Sequence, residues 1–573
     1  MNNPAGIQGS PTTLDKAIAA AKLAVIQALL FSFFINILML ALPLYSLQVL
    51  DRVISSGSLE TLFYLTFVIL AALAALSVVQ VIRSFMLIRL SNWFEQKLGL
   101  DLFAHSIYKS AKLSSSAGSQ NLRDLGAIRG FVTGGAFSSL LDAPWAIIFI
   151  VILFFIHPWI GMLAIFGGGL LLAISVMNEY MTEPLVKEAG EYTVQSMVRA
   201  EAATRNSEAI EGMGMLSNVS RSWHALDMRG NRLQTTASNT SAGLSGIAKF
   251  IRFALQIAVT GLGAYLVLDS NSMSVGGMIA SSILVGRALA PFEASINSWK
   301  ASISARAAYN RLKSSLQSVP ARIESLHLPK PSGKIDVEDV YYVVPGTNVP
   351  IIRNLSFSLQ PGEIIGVVGP SAAGKSTLMK LLLGIWQTTT GSVRLDGADV
   401  YSWNRDDFSH YVGYLPQQAD LFDGTIKDNI ARLVPGASDE SIIHAAKMAH
   451  AHDMILHLAQ GYETDIGPNG AILSAGQRQR IGLARAFYGD PKFVVLDEPN
   501  ANLDQEGEEA LLNTIKNAKK QGITTVIVSH RPAIMEAVDT MMVLKDGGIL
   551  AYGARDDVLA KLRPQVPSNQ EGA

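Results

Sequence analysis

The 573-residue chain contains no cysteine. Disulfide scaffolds, thiolate zinc sites and thiol-peptidase chemistry are therefore excluded. Charge is also scarce: Asp, Glu, Lys and Arg make up 16% of the residues, against about a quarter in soluble domains. The two signs almost cancel, to a net charge of −1, so there is no basic excess and no nucleic-acid partner is expected. No cleavable signal pattern precedes the first apolar run, and Met1 to Thr13 is polar. Internal repeats and low-complexity tracts are missing as well. What remains is an apolar fraction of 49% and a positive mean hydropathy. In a chain too long for one ordinary domain, that combination predicts a membrane domain joined to a soluble one.

Apolar stretches lie near Val25–Leu47, Thr61–Ile82, Ala143–Ile156, Trp159–Met177, Phe253–Leu268 and Gly276–Ala290. A helix needs about 20 residues to cross the hydrocarbon core, so the third and last are expected to extend into flanking residues. The connections Arg83–Asp142 and Asn178–Arg252 are long and rich in Lys and Arg. The alternate ones, Gln48–Glu60, His157-Pro158 and Asp269–Val275, carry only Arg52 as a basic residue. By the positive-inside rule the long connections and both termini face the cytoplasm. Their helical apolar periodicity predicts spans that continue into the cytoplasm, where a soluble ATPase would have something to push. Lys300–Gln317 reads as a polar helix, Ser318–Lys334 with its three prolines as a linker, and Pro564–Ala573 as a disordered tail. The domains are thus 1–20, a cytoplasmic segment; 21–317, a six-helix membrane domain; and 335–563, an α/β domain with a largely parallel sheet.

The α/β domain carries the chemistry. Gly369-Pro370-Ser371-Ala372-Ala373-Gly374-Lys375-Ser376, followed by Thr377, is a complete phosphate loop after the apolar run Ile364–Val368. Backbone N–H groups and a helix N-terminus are expected to cradle phosphates there, Lys375 to reach the β- and γ-phosphates, and the Ser376 hydroxyl to ligate Mg²⁺. Four apolar residues precede Asp497-Glu498. That places Asp497 at the end of a buried strand, where it can hold the Mg²⁺ shell. Glu498 can polarise the water that attacks the γ-phosphate. ATP and Mg²⁺ are the expected cofactors.

Leu473-Ser474-Ala475-Gly476-Gln477 resembles the signature of ATP-binding-cassette (ABC) ATPases. The resemblance implies a homodimer in which Ser474, Ala475, Gly476 and Gln477 of one copy close the nucleotide site of the other. It also implies a glutamine loop at Gln417 that senses Mg²⁺, a switch histidine at His530, and a loop at Asp504 that couples the two sites. Three places depart from the family pattern. Ala475 replaces the middle glycine but keeps its N–H, so tolerance is expected. Val344 precedes Pro345-Gly346 where an aromatic ring usually stacks on adenine, leaving Val344 or Tyr342, two residues back on the same strand face. Pro468 and Asn469 stand where many exporters carry a Glu-Arg pair.

Membrane domain first and cassette second, with long cytoplasmic helices, resembles ABC exporters. Leu42-Pro43-Leu44-Tyr45-Ser46-Leu47-Gln48-Val49-Leu50-Asp51-Arg52-Val53, Leu141-Asp142-Ala143-Pro144-Trp145, His157-Pro158-Trp159-Ile160-Gly161 and Gly286-Arg287-Ala288-Leu289-Ala290-Pro291 are similar to the protease-exporter branch of the type I secretion ATPases. This resemblance implies export of an unfolded protein with an uncleaved C-terminal signal. It implies an inner-membrane dimer that works with a periplasmic adaptor and a TolC-type outer-membrane channel. No peptidase-like domain is expected before the first span. Export of a lipid, drug or peptide is the alternative.

Overall fold

The computed structural model describes residues 12–113, 120–268, 272–318, 328–344, 347, 349–501 and 503–562. Met1–Pro11, most of the linker, Pro345-Gly346, Asn502 and the Pro564–Ala573 tail lie outside the described residues. The chain divides into two compact units, Met1–Ala321 and Arg322–Ala573.

The first unit is helical. Its helices are α1 (Thr13–Leu38), α2 (Ala41–Gln48), α3 (Leu59–Leu113), α4 (Gln120–Thr133), α5 (Gly135–Asp142), α6 (Ala146–Ile156), α7 (Pro158–Arg205), α8 (Ser207–Gly212), α9 (Leu216–Leu268) and α10 (Val275–Ser318). Among the described residues, six helical stretches are long and apolar enough to cross a membrane. The third is Gly135–Ile156, which borrows α5 to reach spanning length. Helix α3 has 55 residues, about 80 Å at 1.5 Å per residue, so it runs far beyond the hydrocarbon core. No proline interrupts it. The most apolar stretch of α3 buries none of its residues within the unit, as a helix solvated by lipid would. The polar segment Lys300–Gln317 is not a separate helix. It continues the last span as part of α10, because no glycine or proline breaks the chain between Phe292 and Ser318.

Polar clamps tie these helices together. Arg83 on α3, buried, donates to Ser32 Oγ at 2.8 Å and to Asp142 Oδ1 at 2.6 Å, linking α1, α3 and α5. Arg311 on α10 binds Asp124 on α4 through Nε at 3.0 Å and Nη2 at 2.6 Å, the fork geometry that suits carboxylates. Asp51, beyond α2, accepts from the Gly276 N–H at 2.8 Å and from the Ser274 hydroxyl. Its carboxylate thus caps the start of α10. The approach needs a glycine, since a Cβ on Gly276 would fall 2.6 Å from Asp51 Oδ1.

The second unit is built on two sheets. Strands β1 (Ile335–Val343), β2 (Pro350–Leu359), β4 (Thr390–Leu395) and β5 (Ala398–Asp399) form an antiparallel sheet in the order β2-β1-β4-β5. Strands β3 (Ile364–Val368), β6 (Val412–Leu415), β7 (Phe493–Asp497), β8 (Thr524–Val528), β9 (Thr540–Lys545) and β10 (Gly548–Ala554) form the other, in the order β10-β9-β3-β8-β7-β6. Only the β9–β10 pair of that sheet is antiparallel. Every residue of β7 and β8 is buried, as continuous apolar strands covered on both faces must be. Alternate residues feed two cores: Ile364, Leu496 and Ile527 on one face, and Ile365, Val495 and Val526 on the other. The last residues of the expected linker belong to this unit. Asp396 accepts from the N–H groups of Ser332, Gly333 and Lys334.

Candidate active site

In a parallel sheet, loops that leave the carboxyl ends of neighbouring strands converge, and ligands bind there. β3, β8, β7 and β6 are consecutive in the sheet. The loops after them carry, respectively, Gly369–Ser376, His530, Glu498 and Gln417. Strand order therefore gathers residues that stand up to 161 positions apart, from Gly369 to His530.

The phosphate loop opens α11 (Lys375–Leu382), whose N-cap is Gly374 at φ +98°. A Cβ at Gly369 would lie 2.4 Å from the Leu544 carbonyl oxygen, so only glycine lets the loop turn there. Lys375 is 8% exposed. Its Nζ donates to the carbonyls of Gly369 at 2.6 Å and Pro370 at 3.1 Å, and lies 3.1 Å from His530 Nε2. An ammonium only donates, so Nε2 accepts and the imidazole proton sits on Nδ1.

Asp497, at the end of β7, is buried and hydrogen-bonded to the Ser376 side chain. Burial pushes its carboxyl above the usual aspartate range, and the neighbouring Glu498 charge adds to this, against the Ser376 hydrogen bond and Lys375. Glu498 is half-buried, at φ +49°, a left-handed conformation that is rare for a side chain of this size and costs about 1–3 kcal/mol. Its N–H donates to the Val528 carbonyl at 3.0 Å, and its own carbonyl accepts from the Ala501 N–H at 3.0 Å. Gln417 Nε2 donates to Glu498 Oε2 at 2.9 Å. The site thus pairs Lys375 with His530, Gln417 with Glu498, and Ser376 with Asp497.

The Ser474–Gln477 stretch opens a helix of its own, α12 (Ala475–Phe487). Ser474 is the N-cap, with its hydroxyl accepting from Gln477 N at 3.2 Å and Gln477 Oε1 accepting from Ser474 N at 2.9 Å. This reciprocal capping box leaves Ser474 and Ala475 exposed at the helix N-terminus. Asp504 caps α13 (Gln505–Lys520), accepting from the Gly507 N–H at 2.8 Å, with Arg480 Nη2 at 3.4 Å.

The adenine assignment to Tyr342 fails. Its ring is 4% exposed and stacks on Trp386, with centroids 5.2 Å apart and planes 15° from parallel, so neither face is open to a base. Trp386 follows α11 and was not legible as its partner. Val344 is half-buried against the same core.

Three residues escaped the reading of the sequence. Gln479, 3% exposed, donates to the Pro499 carbonyl at 3.3 Å and joins the signature helix to the loop after Glu498. The Ser529 hydroxyl donates to Asn500 Oδ1 at 2.9 Å and accepts from the Arg531 N–H at 3.1 Å, tying the loops of Glu498 and His530. Tyr414 on β6 is pushed up to about 12 by burial and by the Asp497 charge. A polar residue beside a nucleotide motif was the only available signal for any of them.

Residues 352–501 match the ABC transporter family model, and residues 25–289 match that of the ABC transporter transmembrane region. Over 541 residues the chain is 38% identical to the type I secretion system ATP-binding protein PrsD of Rhizobium meliloti (strain 1021), covering 94% of this chain and 93% of that protein. The chain belongs to the type I secretion ABC transporters. This transporter is also 29% identical to the toxin RTX-I translocation ATP-binding protein of Actinobacillus pleuropneumoniae, over 93% of this chain and 76% of that protein. It is 28% identical to the alpha-hemolysin translocation ATP-binding protein HlyB of Escherichia coli, over 94% and 76%. A bacterial Atm1-family ABC exporter with ATP bound shares its fold, with a TM-score of 0.81 at 21% identity over 95% of this chain and 97% of that one. A multi-pass ABC transporter of this family binds ATP and couples its hydrolysis to transport. In its phosphate loop and Asp497-Glu498 turn, the transporter has the groups needed to hold a triphosphate and polarise a water.

Proposed function

We propose that this transporter drives an unfolded protein out of the cytosol, as the inner-membrane ATPase of a type I secretion system. The observation that carries the reading is the 38% identity to a type I secretion protein across 93% of its length. The next relatives are translocators of RTX toxin and hemolysin by name. The cargo carries a C-terminal secretion signal. The partners are a periplasmic adaptor and a TolC-type outer-membrane channel, and both termini of the transporter lie in the cytoplasm.

The working unit is a homodimer with two composite sites. In each, Gly369 to Thr377 holds the phosphates, Lys375 moves from its carbonyls to the γ-phosphate, and Glu498 takes the proton of the attacking water. His530, released from Lys375, contacts the γ-phosphate. Ser376, Gln417 and Asp497 hold Mg²⁺. Their oxygens are the donor set a hard divalent cation takes, and the raised Asp497 carboxyl is what a cation would reverse. Bound, Mg²⁺ neutralises charge on the phosphates. Ser474, Ala475, Gly476 and Gln477 of the partner close the site, and Asp504 couples the two.

The test compares proteins secreted by wild-type and deletion strains, with lipid and drug-efflux profiles beside them. One or a few specific proteins should remain in the cytosol, and a Glu498→Gln copy should not restore their export. An unchanged secretome with an altered lipid or drug profile would overturn the reading.

A further inference from the structure

The membrane unit contains a cavity of about 460 Å³ between the α4–α5 wall and α10. Its α10 wall runs from Pro291 to Tyr309. That is about 27 Å at the helical rise, so the cavity is a slot and not a round pocket. The Arg311–Asp124 fork, next to Tyr309 in sequence, ties the two walls together at one end. The slot begins beside the last apolar span and ends beside the polar continuation of α10.

Its chemistry is mixed in a regular way. Phe131, Trp299 and Tyr309 supply rings. Ser295, Ser298 and Ser302 share one face of α10, and Ser139 stands on the other wall. Ser298 and Ser139 direct their protons back to the carbonyls of Ala294 at 2.6 Å and Gly135 at 2.9 Å, which leaves oxygen lone pairs to accept. Trp299 Nε1 is a donor without a hydrogen-bond partner. Among the described residues no carboxylate lines the slot, and its cation is Arg306, which forms an ion pair with Glu179 at 3.6 Å.

A lipid tail has no use for a file of hydroxyls. An extended polypeptide does, because every residue brings an N–H and a C=O that cost free energy when buried unpaired. At about 3.3 Å per residue, 27 Å holds roughly eight extended residues. We propose that this slot binds an extended, unfolded segment of the exported polypeptide, with serine oxygens taking backbone N–H groups and the three rings packing apolar side chains. The absence of wall carboxylates and the presence of Arg306 disfavour basic segments. The assignment rests on the protein-export reading and adds to it where the cargo is held.

The experiment places a benzoylphenylalanine photocrosslinker at Phe131 in the full-length transporter carrying Glu498→Gln, in native membranes. Phe155, 87% exposed on α6, serves as the control position. The expected result is an adduct at Phe131, and not at Phe155, to proteins that vanish from the medium of the deletion strain. Ser298→Val/Ser302→Val should lower their export at least tenfold, and Ser298→Thr/Ser302→Thr should restore it, both at wild-type membrane level. If proteins vanish from the medium but only lipid is captured at Phe131, or nothing is, the slot assignment is overturned and the export reading stands. If no protein vanishes, the export reading falls, and the slot assignment with it.

Discussion

Gln417 Nε2 donates to Glu498 Oε2 across 2.9 Å, joining the loops after β6 and β7 that stand 81 residues apart in the chain. The glutamine restrains the carboxylate from one side while the left-handed turn at Glu498 aims it from the other. In Glu498→Gln the amide oxygen can still accept from Gln417, so the turn should survive and only basicity be lost. ATP binding should be retained and hydrolysis should fall by ~10²–10⁴, the usual loss of a general base. Single-turnover kinetics with a nucleotide-binding assay separates the two, and near-normal turnover would remove Glu498 from this role.

Lys375→Ala should act on binding instead. The ammonium contacts two loop carbonyls and His530, and a charge-assisted phosphate contact contributes about 1.5–3 kcal/mol. Nucleotide affinity should therefore drop roughly 10- to 150-fold by titration. An unchanged Kd would show that Lys375 stays on the carbonyls when nucleotide binds.

Tyr342 and Val344 should separate stability from recognition. Tyr342→Ala empties a buried site against Trp386, and aromatic-to-alanine changes in cores cost about 3–5 kcal/mol. Tm should fall, with little change in the Kd for ATP of the folded fraction. Val344→Tyr should tighten ATP binding, because it restores the aromatic ring that the family pattern places just before Pro345-Gly346. A tighter Kd without base preference would point to another contact.

Acid should weaken the Asp504 cap. The Gly507 N–H, followed by Arg480, holds this carboxyl below its usual 3.8. A folded value below the unfolded one means stability that is present above the unfolded pKa and lost as pH falls through the folded one. The acid limb of a Tm–pH profile, below about pH 4, should flatten in Asp504→Asn, which keeps the cap but cannot titrate. An identical limb would assign the acid sensitivity elsewhere.

Much of this transporter is legible in the order of its residues, because the relevant physics is local. A run of about 20 apolar residues spans a bilayer whatever its neighbours, and a glycine-rich turn between strand and helix cradles phosphate by its own backbone. So the six apolar stretches and the motifs at Gly369–Ser376 and Asp497-Glu498 could be read directly. Tertiary structure decided what depends on distant partners. Sheet order set Lys375 against His530 across 155 positions and Gln417 against Glu498. Burial turned Tyr342 from a candidate adenine platform into a core ring on Trp386, 44 positions away. Gln479 and Ser529 gained their roles from loops folded over them. The slot between α4–α5 and α10 exists only because two helix faces with unremarkable sequences stand opposite each other. Side-chain neighbours across a fold are set by strand order and helix packing, and neither is written in the spacing of any one segment.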